Sequence, residues 1–291
     1  MTQFLDIRNL TLRLRGGPII LWSVSLRVTS GMVHGLVGES GAGKSMIGKA
    51  VLGTLPRAIE VMGGEVWLDG VDLLALPPRD RRRRIGETAA LIPQDPLTAL
   101  NPSKRVGPQI TRRLIDILGW SKSEADQRAR TLLDEVRIPD IPRVMRSYPH
   151  ELSGGMRQRV LIASAFAAEP KLIVADEPTT ALDVTVQKQI LRLISEMRIR
   201  HGTALLFVTH DLGVVSKVCN SLSVLYAGRV VEEAQMPRFF MRPIHPYSRA
   251  LLAATPTYLD PDGSLQPVPA NVIEDVENEN HHHALRAGYD V

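Results

Sequence analysis

Two stretches of the chain alternate apolar and polar positions. Residues 4–15 carry Leu5, Ile7, Leu12 and Leu14, and residues 20–29 carry Leu21, Val24, Leu26 and Val28. A period of two predicts half-buried strands, and Gly16-Gly17 supplies a turn between them. A third alternating piece, Gly64 to Leu68, ends at the turn pair Asp69-Gly70. The three predict a small antiparallel sheet. Elsewhere the apolar runs are nearly unbroken: Met32 to Val37, interrupted only by His34 and Gly35, then Thr88 to Ile92, Leu172 to Ala175 and Ala204 to Val208. Such runs predict strands buried on both faces, as in a parallel sheet covered by helices. Ser223 to Val231 reads as a closing hairpin turning at Ala227-Gly228.

Helical spacing appears between these runs. Met46 to Leu55 is compatible with a helix. Val106, Ile110, Leu114, Ile117 and Leu118 share one helical face, and Ser121 with Glu124 forms a capping-box pattern ahead of Ala125, Ala129, Leu132, Leu133 and Val136. This stretch is a helical insert rather than another βα repeat. Val160 to Ala168 predicts a further apolar helix. Asp183 is placed to cap a helix over Val184 to Arg200, whose apolar face is Val186, Ile190, Leu193, Ile194 and Met197 and which Gly202 ends. The pattern loosens after Pro237. A short helix is expected over Ser248 to Ala254, and a polar tail without periodicity from Asp260 to Val291. The resulting organisation is residues 1–94, a core with the antiparallel sheet; 95–155, a helical subdomain; 156–235, the second half of the core; and 236–291, a C-terminal extension and tail.

Composition narrows the class. At 291 residues with 44% hydrophobic content, the chain can build one large or two modest cores. Its net charge of +4 is too mild to imply nucleic acid. Arg79 to Arg84 holds five arginines in six positions, but no aromatics are interleaved for base stacking. The run reads as a solvated helix start after Pro77-Pro78. Cys219 is the only cysteine, which excludes an internal disulfide and a cysteine-ligated cluster. His281-His282-His283 reads as solvated tail rather than as a metal site. The N-terminus lacks a charged region followed by an apolar block, and no window nears the roughly 18 apolar residues of a spanning helix. A soluble chain is expected, one that would work at a membrane by docking to a partner.

The chemistry is concentrated at strand ends. Gly38-Glu39-Ser40-Gly41-Ala42-Gly43-Lys44-Ser45 matches the glycine-rich phosphate loop, set between a predicted strand and a predicted helix. Glycines let the backbone curl round an anion, with N–H groups and the helix N-terminus facing the phosphates. Lys44 would reach the β- and γ-phosphates and the Ser45 hydroxyl would hold Mg²⁺. Gln94 follows one buried strand, Asp176-Glu177 ends another, and His210 follows a third. In open α/β sheets that end of the strands is the ligand edge. Adjacent carboxylates there need a reason, and a cation for one and a water for the other supplies it. Leu152-Ser153-Gly154-Gly155-Met156-Arg157-Gln158 opens a helix with a hydroxyl, exposed amides and a helix N-terminus, a second anion-binding geometry.

Taken in order over residues 5–235, these pieces resemble an ABC-type ATPase. The phosphate loop, the loop glutamine Gln94, the signature Leu152-Ser153-Gly154-Gly155, the acidic strand end at Leu172 to Glu177, Ala181-Leu182-Asp183 and the switch histidine His210 all have counterparts in that family. Gln94-Asp95-Pro96-Leu97, Leu100-Asn101-Pro102 and His245-Pro246-Tyr247 with Arg249-Ala250-Leu251-Leu252 look like the ATP-binding subunits of bacterial oligopeptide and dipeptide importers. The resemblance implies a P-loop α/β core with antiparallel and helical subdomains. It also implies two ATPase subunits facing head to tail, so that Ser153, Gly154 and Gly155, with Leu152 and Gln158, act on the partner's ATP. Asp176, Ser45 and Gln94 would hold Mg²⁺. Glu177 would be the general base, His210 and Gln94 would contact the γ-phosphate side, and Asp183 would belong to the family's D-loop. The implied partners are a second ATPase subunit, the same or a related chain; two transmembrane permeases; and a periplasmic binding protein. The implied location is the cytoplasmic face of a bacterial inner membrane, and no nucleic acid is implied. Peptides are the implied cargo, with nickel, glutathione, antimicrobial peptides or a soluble non-transport role as alternatives. Leu14 stands where the family places an adenine-stacking aromatic, leaving Trp22 as a candidate.

Overall fold

The computed structural model describes residues 3–180 and 183–254, together with 269, 272–274, 276 and 278. Ala181-Leu182, the polar tail from residue 260 apart from those few positions, and His281-His282-His283 lie outside the described residues. In chain order the strands are β1 (Gln3–Leu14), β2 (Ile19–Thr29), β3 (Val33–Val37), β4 (Ile59–Leu68), β5 (Val71–Asp72), β6 (Ala89–Ile92), β7 (Leu172–Asp176), β8 (Ala204–Val208), β9 (Ser221–Tyr226) and β10 (Arg229–Gln235). The helices are α1 (Lys44–Val51), α2 (Pro78–Thr88), α3 (Pro96–Ala99), α4 (Val106–Asp116), α5 (Lys122–Glu135), α6 (Ile141–Arg146), α7 (Gly154–Phe166), α8 (Val184–His201), α9 (Leu212–Val218), α10 (Met236–Met241) and α11 (Pro246–Ala253). The chain divides into two compact units. The loop unit comprises Gln3–Thr29, Val33–Leu74 and the chain from Phe207 on, and the helical unit comprises Ser30–Met32 and Ala75–Leu206.

In the loop unit an antiparallel sheet has the order β2-β1-β4-β5. Leu21 and then Val24, Leu26 and Val28 are all buried, although one odd and three even positions cannot share a face of a regular strand. Ser23 resolves this. It takes a left-handed φ of 46°, and the pairing shifts between Leu10↔Val24 and Leu12↔Leu21. Such a β-bulge inserts a residue and restores the phase. The Thr11 hydroxyl accepts the Ser23 N–H at 3.1 Å and the Ser25 hydroxyl accepts that of Asn9 at 2.9 Å, so the displaced amides keep partners. The same unit carries β10, β9 and β3 in that order, followed by the end of β8. β3 and β9 are parallel, and β9 and β10 form the expected hairpin. Ala227 and Gly228 both have positive φ, 41° and 80°, as a tight hairpin turn of this hand requires.

In the helical unit the start of β8 is followed by β7 and β6, the last two parallel with Ile92 opposite Ala175. Helices α4, α5, α6 and α7 pack together, and Val106, Ile110, Leu114, Leu132, Leu133 and Phe166 on them are buried. The predicted capping box opens α5: Ser121 N–H donates to Glu124 Oε2 at 2.9 Å and Glu124 N–H to Ser121 Oγ at 3.3 Å. A cap of this kind contributes about 1 kcal/mol. Asp183 caps α8, accepting the N–H groups of Thr185 and Val186 at 3.0 and 2.9 Å.

Several helix bounds differ from expectation, three of them for a local reason. α1 stops at Val51, short of Leu55, because Gly53 leaves the helix with φ 62°. α4 stops at Asp116, so Ile117 is 42% exposed rather than on the buried face, and the chain reverses at Gly119. α11 begins at Pro246 instead of Ser248, since His245 provides its cap: the Tyr247 N–H donates to His245 Nδ1 at 3.2 Å.

Candidate nucleotide site

The phosphate loop leaves β3, whose five residues are all buried. Gly38 has φ 153°, and a Cβ there would sit 2.0 Å from the Leu225 carbonyl oxygen on β9. No side chain fits, so this glycine is required by the loop's own packing. The hairpin turn secures the other end: Gly228 N–H donates to the Ala42 carbonyl at 3.0 Å. Ser40 and Gly41 are exposed at the tip. Lys44 opens α1 and is 5% exposed, with Nζ donating to the Gly38 and Glu39 carbonyls at 2.8 and 2.7 Å. Burying an ammonium is costly without such partners. Lys44 is therefore held inside the loop, where a phosphate oxygen is a stronger acceptor than a carbonyl. Ser45, half-buried, is the next residue of the same helix start.

His210 belongs to the loop unit as well. Thr209 N–H donates to the Leu36 carbonyl at 3.1 Å, which aligns the end of β8 with β3 just before the phosphate loop. His210 follows, exposed, and Asp211 caps α9 by accepting the Val214 N–H at 3.1 Å. The histidine is thus fixed between a strand end and a capped helix start. Leu14 is 38% exposed at the end of β1, and Trp22 is half-buried on β2 beside the hairpin turn.

In the helical unit, Gln94 lies two residues beyond β6 and Asp176 is the last residue of β7. Glu177 takes a left-handed φ of 46°, uncommon for a residue with a side chain. Strain of this kind persists only where the surroundings hold it, and it gathers at functional sites. Here Thr180 Oγ donates to Glu177 Oε2 at 2.8 Å and Gln94 Nε2 donates to the same oxygen at 3.3 Å. The neighbouring chain is tied down as well, since the buried Gln158 amide donates to the Pro178 carbonyl at 2.9 Å. Thr180 was not singled out from the sequence. A hydroxyl residue three positions beyond a strand-ending carboxylate is the signal that could have found it.

Ser153 caps α7, its hydroxyl accepting the Met156 N–H at 3.3 Å, and Leu152 is buried beneath it. Gly154 and Gly155 differ in kind from Gly38. Neither has a positive φ, and a Cβ on either would meet nothing within 4 Å. Nothing in the described chain demands glycine at these positions. Gln158 points inward to Pro178 while Ser153 is exposed.

Among the described residues no group of three or more His, Cys, Asp or Glu could cage a metal ion. A magnesium ion carried on phosphates needs only one or two protein oxygens, its other positions being filled by phosphate and water. Ser45 in the loop unit, and Asp176 and Gln94 in the helical unit, are oxygen donors of the required hardness. Among the described residues no helix is long and apolar enough to cross a membrane.

A buried strand feeding a glycine loop, a lysine folded into that loop and a paired carboxylate strand end define the P-loop class of nucleoside triphosphatases. The description of the ABC transporter family matches residues 21–180, and the chain belongs to that family. Its part there is that of the ATP-hydrolysing subunit. It is 48% identical over 257 residues to a probable peptide ABC transporter ATP-binding protein of Sinorhizobium fredii, covering 87% of this chain and 76% of that one. It is 45% identical over 277 residues to a probable D,D-dipeptide transport ATP-binding protein of Escherichia coli, covering 94% and 84%. To the oligopeptide transport ATP-binding protein OppD of Salmonella typhimurium it is 44% identical over 249 residues, covering 85% and 74%. Among solved structures, the ATP-binding cassette MJ0796, a dimer in a post-hydrolysis state with ADP and phosphate, superposes with a TM-score of 0.70 at 27% identity, over 80% of this chain and 98% of that one.

Proposed function

We propose that this chain couples ATP hydrolysis to the uptake of peptides through a bacterial inner-membrane importer. It would sit peripherally on the cytoplasmic face, docked to two permease subunits that a periplasmic binding protein supplies with cargo, and paired with a second ATPase subunit. The peptide assignment rests on relatives of 44–48% identity whose names specify peptide, dipeptide or oligopeptide transport. The observation that carries the chemical assignment is Glu177, held in a left-handed conformation at the end of β7 by Thr180 and Gln94.

Each side chain then has a task. The loop amides of residues 38–45 and the N-terminus of α1 cradle the phosphates. Lys44 releases its carbonyl partners for β- and γ-phosphate oxygens, and Ser45 and Asp176 are the donors toward Mg²⁺. When bound, that ion offsets charge on the phosphates. Glu177 orients the attacking water and accepts its proton, while His210 contacts the γ-phosphate. Gln94 shares an oxygen with the base and begins the segment leading into α3, so it can report the state of the site to a docked permease. Ser153, Gly154 and Gly155 serve the nucleotide of the partner subunit. The open space at both glycines supports this, since their smallness has no use among the described residues of their own chain. Gln158 couples α7 to the carboxylate turn, and Asp183 fixes the start of α8. Loss of the γ-phosphate removes contacts that favour the paired state, and this biases a two-state cycle.

The test is reconstitution of the assembled transporter in liposomes, with ATP turnover and uptake followed as the binding protein is loaded in turn with di- and oligopeptides, glutathione or Ni²⁺. Stimulation by a peptide-loaded binding protein is expected. Stimulation by Ni²⁺ or glutathione alone would contradict the peptide assignment.

A further inference from the structure

Helix α11 has no part in the chemistry above, yet it is built firmly against the loop unit. Glu232, on β10 and 7% exposed, clamps its approach: the two carboxylate oxygens accept the N–H groups of Ile244 and His245 at 2.9 and 2.8 Å. His245 caps the helix, and Pro246 occupies its first position. These constraints bury Tyr247 completely. Its ring lies 4.5 Å from that of Tyr226, tilted by 49°. Tyr226 directly follows Leu225, whose carbonyl oxygen occupies the space a Gly38 side chain would need. Tyr247 therefore stands one residue behind the entry to the phosphate loop.

Its hydroxyl is the unexplained atom. It is buried and makes no hydrogen bond of ordinary geometry. The polar group it faces is Glu39, the second residue of the phosphate loop; burial first, and then the Glu39 carboxylate, hold the phenol above its ordinary pKa. Phenylalanine would fill the same space against Tyr226 without stranding a buried donor, which is costly. The hydroxyl already faces the backbone and the carboxylate of Glu39, short of a bond of ordinary geometry, so a small adjustment at Glu39 would complete one. Glu39 is exposed at the loop, while Tyr247 is anchored by the Glu232 clamp. The exposed Glu39 side chain is the partner free to adjust.

We propose that Tyr247 is a positioning residue for the phosphate loop: as the loop closes on nucleotide, the Tyr247 hydroxyl donates to the Glu39 carboxylate, so that the C-terminal segment braces the nucleotide-bound loop. The inference rests on the reading of residues 38–45 as the phosphate site. It makes the extension beyond β10 part of the nucleotide response rather than an appendage to it.

The experiment uses the full 291-residue chain. Affinity for a fluorescent ATP analogue and for ADP is titrated alongside the melting temperature without nucleotide. Tyr247→Phe is expected to change the nucleotide-free melting temperature by no more than about 2 °C, because it removes a buried hydroxyl that makes no hydrogen bond of ordinary geometry. It is expected to weaken nucleotide binding about 3- to 10-fold, the worth of one hydrogen bond. In the assembled transporter, KM for ATP rises by a similar factor while kcat holds. The same loss should appear in Glu39→Ala, should be largely spared in Glu39→Gln, and should not deepen when Tyr247→Phe is added to Glu39→Ala. Wild-type affinity in Tyr247→Phe, or additive losses in the double variant, would overturn the proposal. Lys44→Ala separates the two levels. If it binds like wild type, the phosphate-loop reading fails and this inference fails with it. If Lys44→Ala loses binding while Tyr247→Phe does not, only the role of Tyr247 is overturned.

Discussion

Replacing Gly155 with alanine or valine separates two reasons for which a protein needs glycine. Gly155 is the second residue of α7, lacks a positive φ and has open space where a Cβ would go. In a helix, alanine is favoured over glycine by up to about 1 kcal/mol, and valine keeps part of that advantage. Since the first turn feels only part of this preference, the isolated chain should be unchanged or stabilised by about 0.5 kcal/mol. For a chain of this size that is a melting shift of about +2 °C or less. Activity should respond in the opposite sense. If the N-terminus of α7 stabilises phosphate charge on a partner's ATP, a methyl or isopropyl group there blocks the approach. Loss of a preorganised anion-stabilising contact costs about 100- to 1,000-fold in turnover. The assays are differential scanning fluorimetry of the purified chain and ATP turnover of the assembled transporter. Gly38→Ala is the opposing control, because its Cβ would lie 2.0 Å from the Leu225 carbonyl oxygen, and it should lower the melting temperature of the isolated chain. A fall of more than about 5 °C in Gly155→Val, or turnover within about threefold of wild type, would refute the reasoning.

Two further expectations concern stability and reactivity. His34 is buried on β3 between the Ser221 and Ser223 hydroxyls at 2.8 and 2.9 Å, and burial lowers its pKa from 6.5 to about 4. Since the folded state disfavours the imidazolium, stability is fully present above pH 6.5 and is lost as the pH falls toward 4. The loss saturates at about 3 kcal/mol. Urea melts of wild type and His34→Gln between pH 7 and pH 4 test this, and equal pH slopes would exclude the assignment. Burial pushes the Cys219 thiol up to about 12. Alkylation at pH 8 should therefore be about a thousandfold slower in the folded chain than in urea, and comparable rates would show that Cys219 is accessible.

The sequence made the strand and helix types legible because the periodicities are strong and the strand ends carry the charged residues. It was less informative wherever one residue's conformation decides the outcome. The phase slip between Leu21 and Val24 is visible in the sequence, but not that Ser23 absorbs it in a left-handed bulge. The run Met46–Leu55 holds helical residues, yet Gly53 ends the helix early. The glycines of the phosphate loop and those of residues 154–155 look alike as letters. The backbone φ and the space around each Cβ separate Gly38, which its own fold requires, from Gly154 and Gly155, which the described chain leaves free. The conformation of Glu177 and its bond to Thr180 were out of reach for a similar reason, since strain is imposed by surroundings rather than by composition. Tyr247 stood within a recognisable motif, but its burial against Tyr226 depends on the Glu232 clamp, a contact across 12 and 13 residues.

In the proposed function, Glu177 performs the proton chemistry of hydrolysis and is not needed to hold the nucleotide. Glu177→Gln preserves the shape and the Gln94 and Thr180 neighbours while removing the basic oxygen. Single-turnover hydrolysis of radiolabelled ATP by the assembled transporter, measured beside equilibrium binding, tests this directly. Binding within about threefold of wild type, with hydrolysis slowed by at least about 100-fold, is the predicted result. Hydrolysis near the wild-type rate, or a loss of activity explained entirely by lost binding, would contradict it.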